Sequence, residues 1–417
     1  MVKLDEIQTT DFTVTRKGTS EGPTFLPEPD RRPRKYTVIS VDDHIVEPPD
    51  MFVGRLPSAL ADRAPRVVTT DNGGEIWAYD GAELPNVGFN AVAGRPVSEY
   101  SWEPTRFDEM RRGAWDIDAR VHDMDLNGIF ASVNFPSFLA GFSGYRLQLG
   151  HDADLALATV RAWNSYHLEV WAAAHPGRII PLQIPWLLDP EVAAAEIRRN
   201  AERGFRAVSF TESPDKMGLP SLYSDYWDPF LRACEETETV VCLHFGSSGT
   251  TPTASPQAPP EAVTVLFGSN IAAAVDWLFA KVPLRFPGIR ICLSEGGVGW
   301  VPSLLDRLDH MRKYEDMFAT FAGSELTPSE LVRRNFWFCA IDEPSGIEMR
   351  HRIGVENIVV ESDYPHADST WPDTQAVLER SLAAVPADEA ASITWRNASV
   401  LFRHPVPAAV QVDPEAF

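Results

Sequence analysis

TVISVDDHI, residues 37–45, is a short apolar and β-branched run that ends in acidic and imidazole side chains. This composition predicts a buried β-strand. Side chains alternate between the two faces of a strand, so Asp42 and His44 point to one face and Asp43 points to the other. The stretch therefore predicts a core strand that presents a carboxylate and an imidazole together at its carboxyl end.

Seven more runs of this kind follow, and longer helical patterns separate them. Strands that alternate with helices indicate βα units and a parallel sheet. Eight such units favour an α/β fold of the closed (β/α)8 TIM-barrel type, and no GxGxxG motif follows the first strand to support a dinucleotide-binding sheet. The predicted strands are 37–45, 129–135, 179–184, 207–210, 240–245, 289–294, 336–341 and 358–361. The predicted helices are 116–126, 154–174, 190–203, 225–236, 271–282, 298–317, 346–353, 373–384 and 388–402.

The remaining segments flank or interrupt the barrel, which we predict over 36–402. Residues 1–35 are polar and proline-rich, which predicts an extended arm that either wraps a neighbouring subunit or is mobile. About seventy residues separate the first strand from its helix, and they predict a cap-like insertion over about 50–115. Within it, the glycine-rich segment 71–74 lies between two β-branched runs and predicts a hairpin. Residues 403–417 form a C-terminal tail.

The charge of the chain limits its partners. The formal net charge is -22, from 59 acidic and 37 basic residues, which disfavours nucleic acid and anionic membrane surfaces. No apolar run has the length of a membrane span, so we expect a cytoplasmic protein without a membrane partner. The four cysteines show no CxxC spacing and are expected to be small buried residues.

Polar residues end several predicted strands, at the positions where barrel enzymes carry their reacting groups. Two imidazoles and two carboxylates form a ligand set for one divalent ion with an open position. Buried carboxylates without a cation would repel one another, which also argues for a metal. The predicted ligands are Asp42, His44, His244 and Asp363.

Four motifs together resemble the amidohydrolase superfamily. They are SVDDHIVEPPD at 40–50, LH at 243–244, EGG at 295–297 and SDYPH at 362–366. The likeness runs from about residue 36 to residue 402. The chain is similar in particular to the amidohydrolase-2 branch, which includes aminocarboxymuconate semialdehyde decarboxylase and γ-resorcylate decarboxylase. The resemblance implies a metal-dependent enzyme and a homodimer.

The resemblance also assigns roles to single residues. Asp42 and His44 match the strand-one ligand pair of the family, and His244 matches its strand-five ligand. Asp363 matches the strand-eight aspartate that holds the metal or moves protons. The chain departs from the best-known members at Asp42, where they place histidine or glutamate, and at Glu295, where the decarboxylases usually place histidine. We expect one divalent ion, with zinc favoured and manganese or iron as alternatives.

Three functions remain open, and we favour decarboxylation of a small carboxylated or aromatic molecule. In that reaction Asp363 or Glu295 protonates the carbon that loses CO₂. The first alternative is hydrolysis of an amide, ester or lactone, with Asp363 as base and Glu295 as acid for the leaving group. The second is a metal-containing binding protein without catalysis.

Two of the candidate catalytic residues have a structural alternative. Glu295 could cap the following helix or support a metal ligand. His366 could bind substrate or only fix its loop. We therefore predict Asp363, Glu295 and His366 as the catalytic set, with the small-molecule substrate itself left open.

Overall fold

The computed structural model describes residues 24–71, 73–85, 88–100, 106–249, 255, 264–265, 267–314 and 319–417. Within this part of the chain, parallel strands surround a buried apolar core, and helices cover them. The strands are β1 (Ile39–Ile45), β2 (Arg66–Thr69), β3 (Glu75–Tyr79), β4 (Ala82–Pro85), β5 (Ala131–Pro136), β6 (Ile179–Ile180), β7 (Leu182–Gln183), β8 (Ala207–Phe210), β9 (Val240–His244), β10 (Ile291–Ser294), β11 (Phe336–Ala340) and β12 (Ile358–Val360).

Most of the helices lie between these strands in the chain. They are α1 (Ile117–Asn127), α2 (Tyr145–Gln148), α3 (Ala153–Tyr166), α4 (Pro190–Arg203), α5 (Asp228–Thr237), α6 (Gly268–Phe279), α7 (Val282–Arg285), α8 (Val301–Arg312), α9 (Pro328–Asn335), α10 (Pro344–Glu348), α11 (Arg350–Ile353), α12 (Thr374–Ser381), α13 (Ala387–Ala391), α14 (Asn397–Leu401) and α15 (Ala408–Val412).

The parallel sheet runs in the order β6-β5-β1-β12-β11-β10-β9-β8-β7. Its two ends, β6 and β7, are consecutive pieces of one stretch of chain. Pro181 separates them because it has no N–H to donate to a ladder, and its carbonyl accepts from Arg206 N at 3.0 Å. The β6 piece pairs with β5 and the β7 piece pairs with β8. The predicted third strand is therefore present in two pieces, and the predicted TIM barrel is confirmed.

Aspartates start several of the helices. Asp116, Asp152 and Asp189 each accept backbone N–H groups of the first turn of α1, α3 and α4, which satisfies donors that have no partner within the helix. The predicted helix 298–317 begins later, at Val301. The backbone N–H groups of Val298 and Gly299, at the start of the predicted helix, donate instead to the Glu343 carboxylate.

Three more predicted helices are interrupted, and the first of them, 154–174, contains a π-helical turn over His167–Ala172 after α3. The segment 346–353 forms parts of α10 and α11, which are separated at Met349. The predicted last helix, 388–402, contains a π-helical turn over Ser392–Arg396 between α13 and α14. Periodicity alone does not reveal such breaks, since the apolar residues on both sides still face the barrel.

The predicted hairpin lies in the insertion after β1. Strands β2 and β3 pair antiparallel, and β4 extends them to a sheet of three strands, one more than predicted. Trp77 anchors this sheet by packing edge-on against Phe52, with ring centroids 5.9 Å apart. Further along the insertion, the N–H groups of Val92 and Ala93 donate to Pro365 O, at 3.1 and 3.2 Å. The insertion thereby contacts the loop after β12.

The described parts of both terminal segments lie on the barrel. Leu26 N donates to Gly94 O at 2.8 Å in the insertion. In the C-terminal segment, Val410 O accepts the Thr37 hydroxyl at 2.6 Å, just before β1. Residues 1–23 of the predicted arm lie outside the described residues.

The lengths of the helices and the environments of the cysteines complete the description of the fold. No helix in the described parts of the chain is long and apolar enough to cross a membrane. All four cysteines are free and buried, as predicted. Two of them, Cys292 and Cys339, lie on neighbouring strands with their sulfur atoms 3.8 Å apart.

Glu47 joins the segment after β1 to the segment after β5. Its side chain is fully buried and accepts three successive backbone N–H groups, from Phe138 at 2.9 Å and from Leu139 and Ala140 at 3.2 Å. Burial raises the pKa of Glu47 and these hydrogen bonds lower it. The carboxylate thus fixes the course of the chain beyond β5.

We expect Glu47→Ala to lower the free energy of unfolding by about 2–4 kcal/mol, because it leaves three buried N–H groups without an acceptor. Urea unfolding followed by circular dichroism measures the change. Glu202→Ala, on the exposed side of α4, serves as the control and should change stability by less than about 0.5 kcal/mol. Equal effects of the two substitutions would contradict a stabilising role of the hydrogen bonds between Glu47 and residues 138–140.

Candidate metal centre and active site

The structure brings all six predicted site residues together at the carboxyl ends of the barrel strands. Asp42 and His44 lie in β1 and His244 ends β9. The others follow directly after β10 and β12. Four of the six are completely buried, and His366 is 6% exposed. Glu295, Asp363 and His366 complete the cluster with His44, since one ligand atom of each lies within 4.8 Å of the others.

The two ligand imidazoles face each other. His44 Nε2 and His244 Nε2 are 3.1 Å apart. Asp42 lies beside both, with carboxylate oxygens 3.4 Å from His44 Nε2 and 3.6 Å from His244 Nε2. Asp363 Oδ1 lies 3.4 Å from His44 Nε2. Each of these side chains is of a type that binds divalent metal ions.

The hydrogen bonds of the rings decide which nitrogen carries the proton. His244 Nδ1 lies 2.7 Å from Phe245 O, and His44 Nδ1 lies 3.4 Å from Pro136 O. A carbonyl oxygen can only accept, so both Nδ1 atoms carry the proton and both Nε2 atoms present lone pairs. Two lone pairs that face each other at this distance repel unless a proton or a metal cation lies between them.

The buried carboxylates also lack partners. Among the described residues, none donates a hydrogen bond to either oxygen of Asp42 or Asp363. Burial raises the pKa of both groups well above the usual range, and the negative charges of Glu295 and Glu361 raise it further. A buried carboxylate without a donor is unfavourable unless it is protonated or bound to a metal. The predicted ligands therefore fit a divalent cation.

Glu295 faces the cluster instead of capping α8. Its Oε2 lies 2.9 Å from His244 Nε2, and burial raises its pKa. Both Glu295 and Asp363 have positive φ, at 50° and 51°, which is an unfavourable backbone conformation for residues other than glycine. Such strain is common where a side chain must be aimed at a functional site.

His366 contacts two members of the cluster. Its Nδ1 lies 3.0 Å from Asp363 Oδ1, and its ring stacks on His44 with the centroids 3.6 Å apart. Burial lowers its pKa well below the usual range, which favours the neutral form of the ring. Its Nε2 lies 3.4 Å from the Ser137 hydroxyl. The loop after β12 thus supplies an imidazole beside Asp363.

Sequence reasoning missed two contributors to the site. Glu361 is buried, accepts Glu295 N at 3.0 Å, and could have been found because it lies on the same strand face as Asp363. Phe142 covers the two ligand imidazoles, with its ring 4.0 Å from that of His244 and 5.1 Å from that of His44. No sequence signal marked this phenylalanine, because it lies in the loop after β5.

Asp43 has a supporting position, on the opposite strand face as predicted. Its Oδ1 accepts the hydroxyl groups of Ser40 at 3.0 Å and Ser362 at 2.6 Å, and Tyr364 N at 3.2 Å. These bonds join β1 to the chain after β12. They hold Asp42 and Asp363 on adjacent strands.

The barrel and its buried imidazole and carboxylate cluster define a class of protein, the barrel metalloenzymes. Comparison with known proteins identifies the family. The model of the family described as Amidohydrolase matches residues 77–404, well over half of the chain. The chain therefore belongs to the amidohydrolase family and is an enzyme. The matched residues begin after β1, so they include His244 and Asp363 but not the pair Asp42 and His44.

Solved structures of this family share the fold. An amidohydrolase from Mycobacterium avium subsp. paratuberculosis K-10 is 22% identical with a TM-score of 0.69, and the alignment covers 88% of this chain and 99% of that one. The 5-carboxyvanillate decarboxylase of Sphingomonas paucimobilis is 20% identical with a TM-score of 0.61, covering 89% and 100%. A dihydroxybenzoic acid decarboxylase from Polaromonas sp. JS666, with bound manganese, is 17% identical with a TM-score of 0.59, covering 88% and 97%. None of the curated proteins matches the sequence.

We expect binding of a divalent ion at pH 7 to release at least one proton, because the raised pKa of Asp42, one of the three residues that would hold the ion, keeps a proton on the metal-free cluster. Ordinary aspartates, with a pKa of about 3.9, would release none. Titration calorimetry in two buffers of different ionisation enthalpy measures the protons released. Asp42→Asn should release fewer, and metal binding without proton release would contradict the expectation.

Proposed function

We propose that the enzyme removes CO₂ from a small aromatic acid without oxidation. The observation that carries this proposal is the position of Asp363, a buried carboxyl group with a raised pKa between the ligand His44 and the neutral His366. Such a group is a proton donor next to a cation site. Loss of CO₂ requires that combination, since the carbon left behind must be protonated.

The proton transfer can be followed from atom to atom. The bond between the ring carbon and the carboxylate breaks, and its electron pair stays on the ring carbon. Asp363 gives its proton to this carbon, and CO₂ leaves. His366 Nδ1 lies beside this carboxyl group, 3.0 Å from Asp363 Oδ1. Positioned proton transfer of this kind contributes about 10²–10⁴-fold to enzymatic rates.

The metal would be held by Asp42, His44 and His244, which form one compact ligand set. When bound, a divalent cation would stabilise the negative charge that develops as CO₂ departs. Two solved structures of similar fold, from Novosphingobium aromaticivorans and Polaromonas sp., contain manganese. Zinc, manganese and the homodimer all stay predictions for this chain.

Two further observations support decarboxylation over hydrolysis. The apolar ring of Phe142 covers the imidazoles of His44 and His244. An apolar side chain at this position helps to exclude water, which hydrolysis consumes as a reactant. Moreover, the loop after β12 supplies the imidazole of His366, which lies in the same cluster as Glu295. Glu295 is the position at which decarboxylases of the family usually place a histidine. Several neighbours in fold decarboxylate hydroxylated benzoates.

We expect the metal-loaded enzyme to release CO₂ from a member of a panel of hydroxybenzoates and benzene dicarboxylates. Asp363→Asn keeps the shape of the side chain but cannot give a proton, so we expect kcat to fall by about 10²–10⁴-fold. Coupled CO₂ detection measures the rate, and metal analysis of the variant shows whether the ion is retained. Asp62→Asn, at an exposed position of the insertion, is the control and should keep most of the activity.

The outcomes separate the two reactions. Metal-dependent turnover of amides, esters or lactones, with no CO₂ from any acid in the panel, would overturn decarboxylation in favour of hydrolysis. Glu295 would then be the acid for the leaving group, because its buried carboxyl lies beside His244. A product that gains no deuterium in D₂O would also contradict protonation of carbon.

A further inference from the structure

Two serines of the loop after β9 are buried, although this loop lies at the mouth of the barrel. Ser247 and Ser248 are 7% and 5% exposed. Both hydroxyl groups donate to one carboxylate, that of Glu212, which follows β8 and is 2% exposed. Ser248 Oγ lies 2.8 Å from Glu212 Oε1, and the Ser247 hydroxyl donates to Glu212 Oε2. The serines are buried because a carboxylate from the neighbouring strand accepts their protons.

Backbone groups complete this contact in both directions. Ser248 N donates to Glu212 Oε2 at 2.9 Å, and Glu212 N donates to Ser247 Oγ at 3.2 Å. The main chain of Glu212 is itself held by α6, since Trp277 Nε1 donates to the Glu212 carbonyl at 3.3 Å. A buried carboxylate requires such donors, because loss of one leaves part of its charge without a partner. Glu212 thus fixes residues 247 and 248 relative to β8.

The two serines follow directly on the turn that begins at His244. Ser247 N donates to His244 O at 3.2 Å, which closes a turn of four residues over 244–247. Gly246 is the third residue of this turn, and its φ of +71° is typical of a type II turn and favours glycine. Turns of types I and II differ in the direction of the middle peptide group. The conformation of this turn therefore decides where the carbonyl of Phe245 points.

The Phe245 carbonyl is the group that sets the position of the His244 proton. It lies 2.7 Å from His244 Nδ1 and keeps the proton on that nitrogen, which leaves the Nε2 lone pair free to bind an ion. A reversed peptide group would remove this acceptor, and the proton could then move to Nε2. A protonated nitrogen cannot bind a metal. The orientation of one peptide group therefore connects the contacts of Glu212 with the metal ligand.

Ser247 also joins the loop that covers the site. Ser143 Oγ donates to Ser247 O at 3.3 Å, and Ser143 directly follows Phe142, whose ring covers that of His244. The carbonyl of Phe142 accepts the hydroxyl group of Ser209 in β8. The metal ligand and the ring above it are thus both attached to the segment that Glu212 holds.

We propose that Glu212 is a positioning residue for the metal ligand His244. Through Ser247 and Ser248 it fixes the turn that keeps the His244 proton on Nδ1, and it acts through this turn and not as a ligand. The proposal rests on the proposed function only for the ion that His244 binds. Loss of the Glu212 contacts should weaken metal binding, because groups that orient a metal-bound imidazole contribute about 10- to 100-fold to affinity.

Binding of Co²⁺ to the metal-free protein tests this role without any turnover. We expect Glu212→Ala and Ser247→Ala to bind Co²⁺ about 10- to 100-fold more weakly than the wild type. Glu212→Gln should keep most of the affinity, because its amide group can accept from Ser247 and donate to the Ser248 hydroxyl. Titration calorimetry measures the dissociation constants. The visible absorption bands of bound Co²⁺ should change in Glu212→Ala, since they report the geometry of the ligands.

Ser329→Ala is the matched control. Ser329 is 4% exposed, and its hydroxyl donates to the Asp309 carboxylate at 2.6 Å, but this pair joins α9 to α8. The control should keep the Co²⁺ affinity and the absorption bands of the wild type. Ser247→Ala serves as the test if Glu212→Ala does not fold.

The outcomes distinguish this role from the proposed reaction. Wild-type affinity in Ser247→Ala, or an equal loss of affinity in Ser329→Ala, would overturn the role of Glu212. A wild-type protein that binds no Co²⁺ would overturn both proposals. CO₂ release is measured separately, so an enzyme that shows the expected Co²⁺ affinities but releases no CO₂ would overturn only the proposed function.

Discussion

The structure depends on the approach of two imidazoles whose Nε2 lone pairs face each other at 3.1 Å. Among the described residues, the carboxylates of Asp42 and Asp363 add unpaired acceptors beside these nitrogens. Such a cluster is stable only with a cation or with protons bound. The barrel must therefore be rigid enough to hold these groups together against their own repulsion.

That rigidity comes from the closure of the strand ring and from bonds that cross between strands. The ladder is interrupted at Pro181, but the chain on either side pairs with β5 and β8, so the ring has no free edge there. Asp43 joins β1 to the chain after β12 through two hydroxyl groups. Asp42 and Asp363 are thus held in place by Asp43, whose side chain faces away from the site.

The fold and the clustering of the candidate ligands could be predicted because each rests on a local pattern. Eight apolar runs with helices between them indicate the barrel, and alternation along residues 37–45 already separates Asp42 and His44 from Asp43. The position at which α8 begins depends on Glu343, which is distant in sequence, and no local pattern reveals that contact. Phe142 also escaped prediction, since its position depends on how a loop folds over the barrel.

Glu47 has a consequence that extends beyond stability. It follows the metal-ligand strand by two residues and fixes residues 138–140, from which the loop carrying Phe142 continues. The conformational entropy of this segment is therefore lost during folding and not when a ligand arrives. Residues 138–140 are therefore already ordered relative to the strand that carries Asp42 and His44.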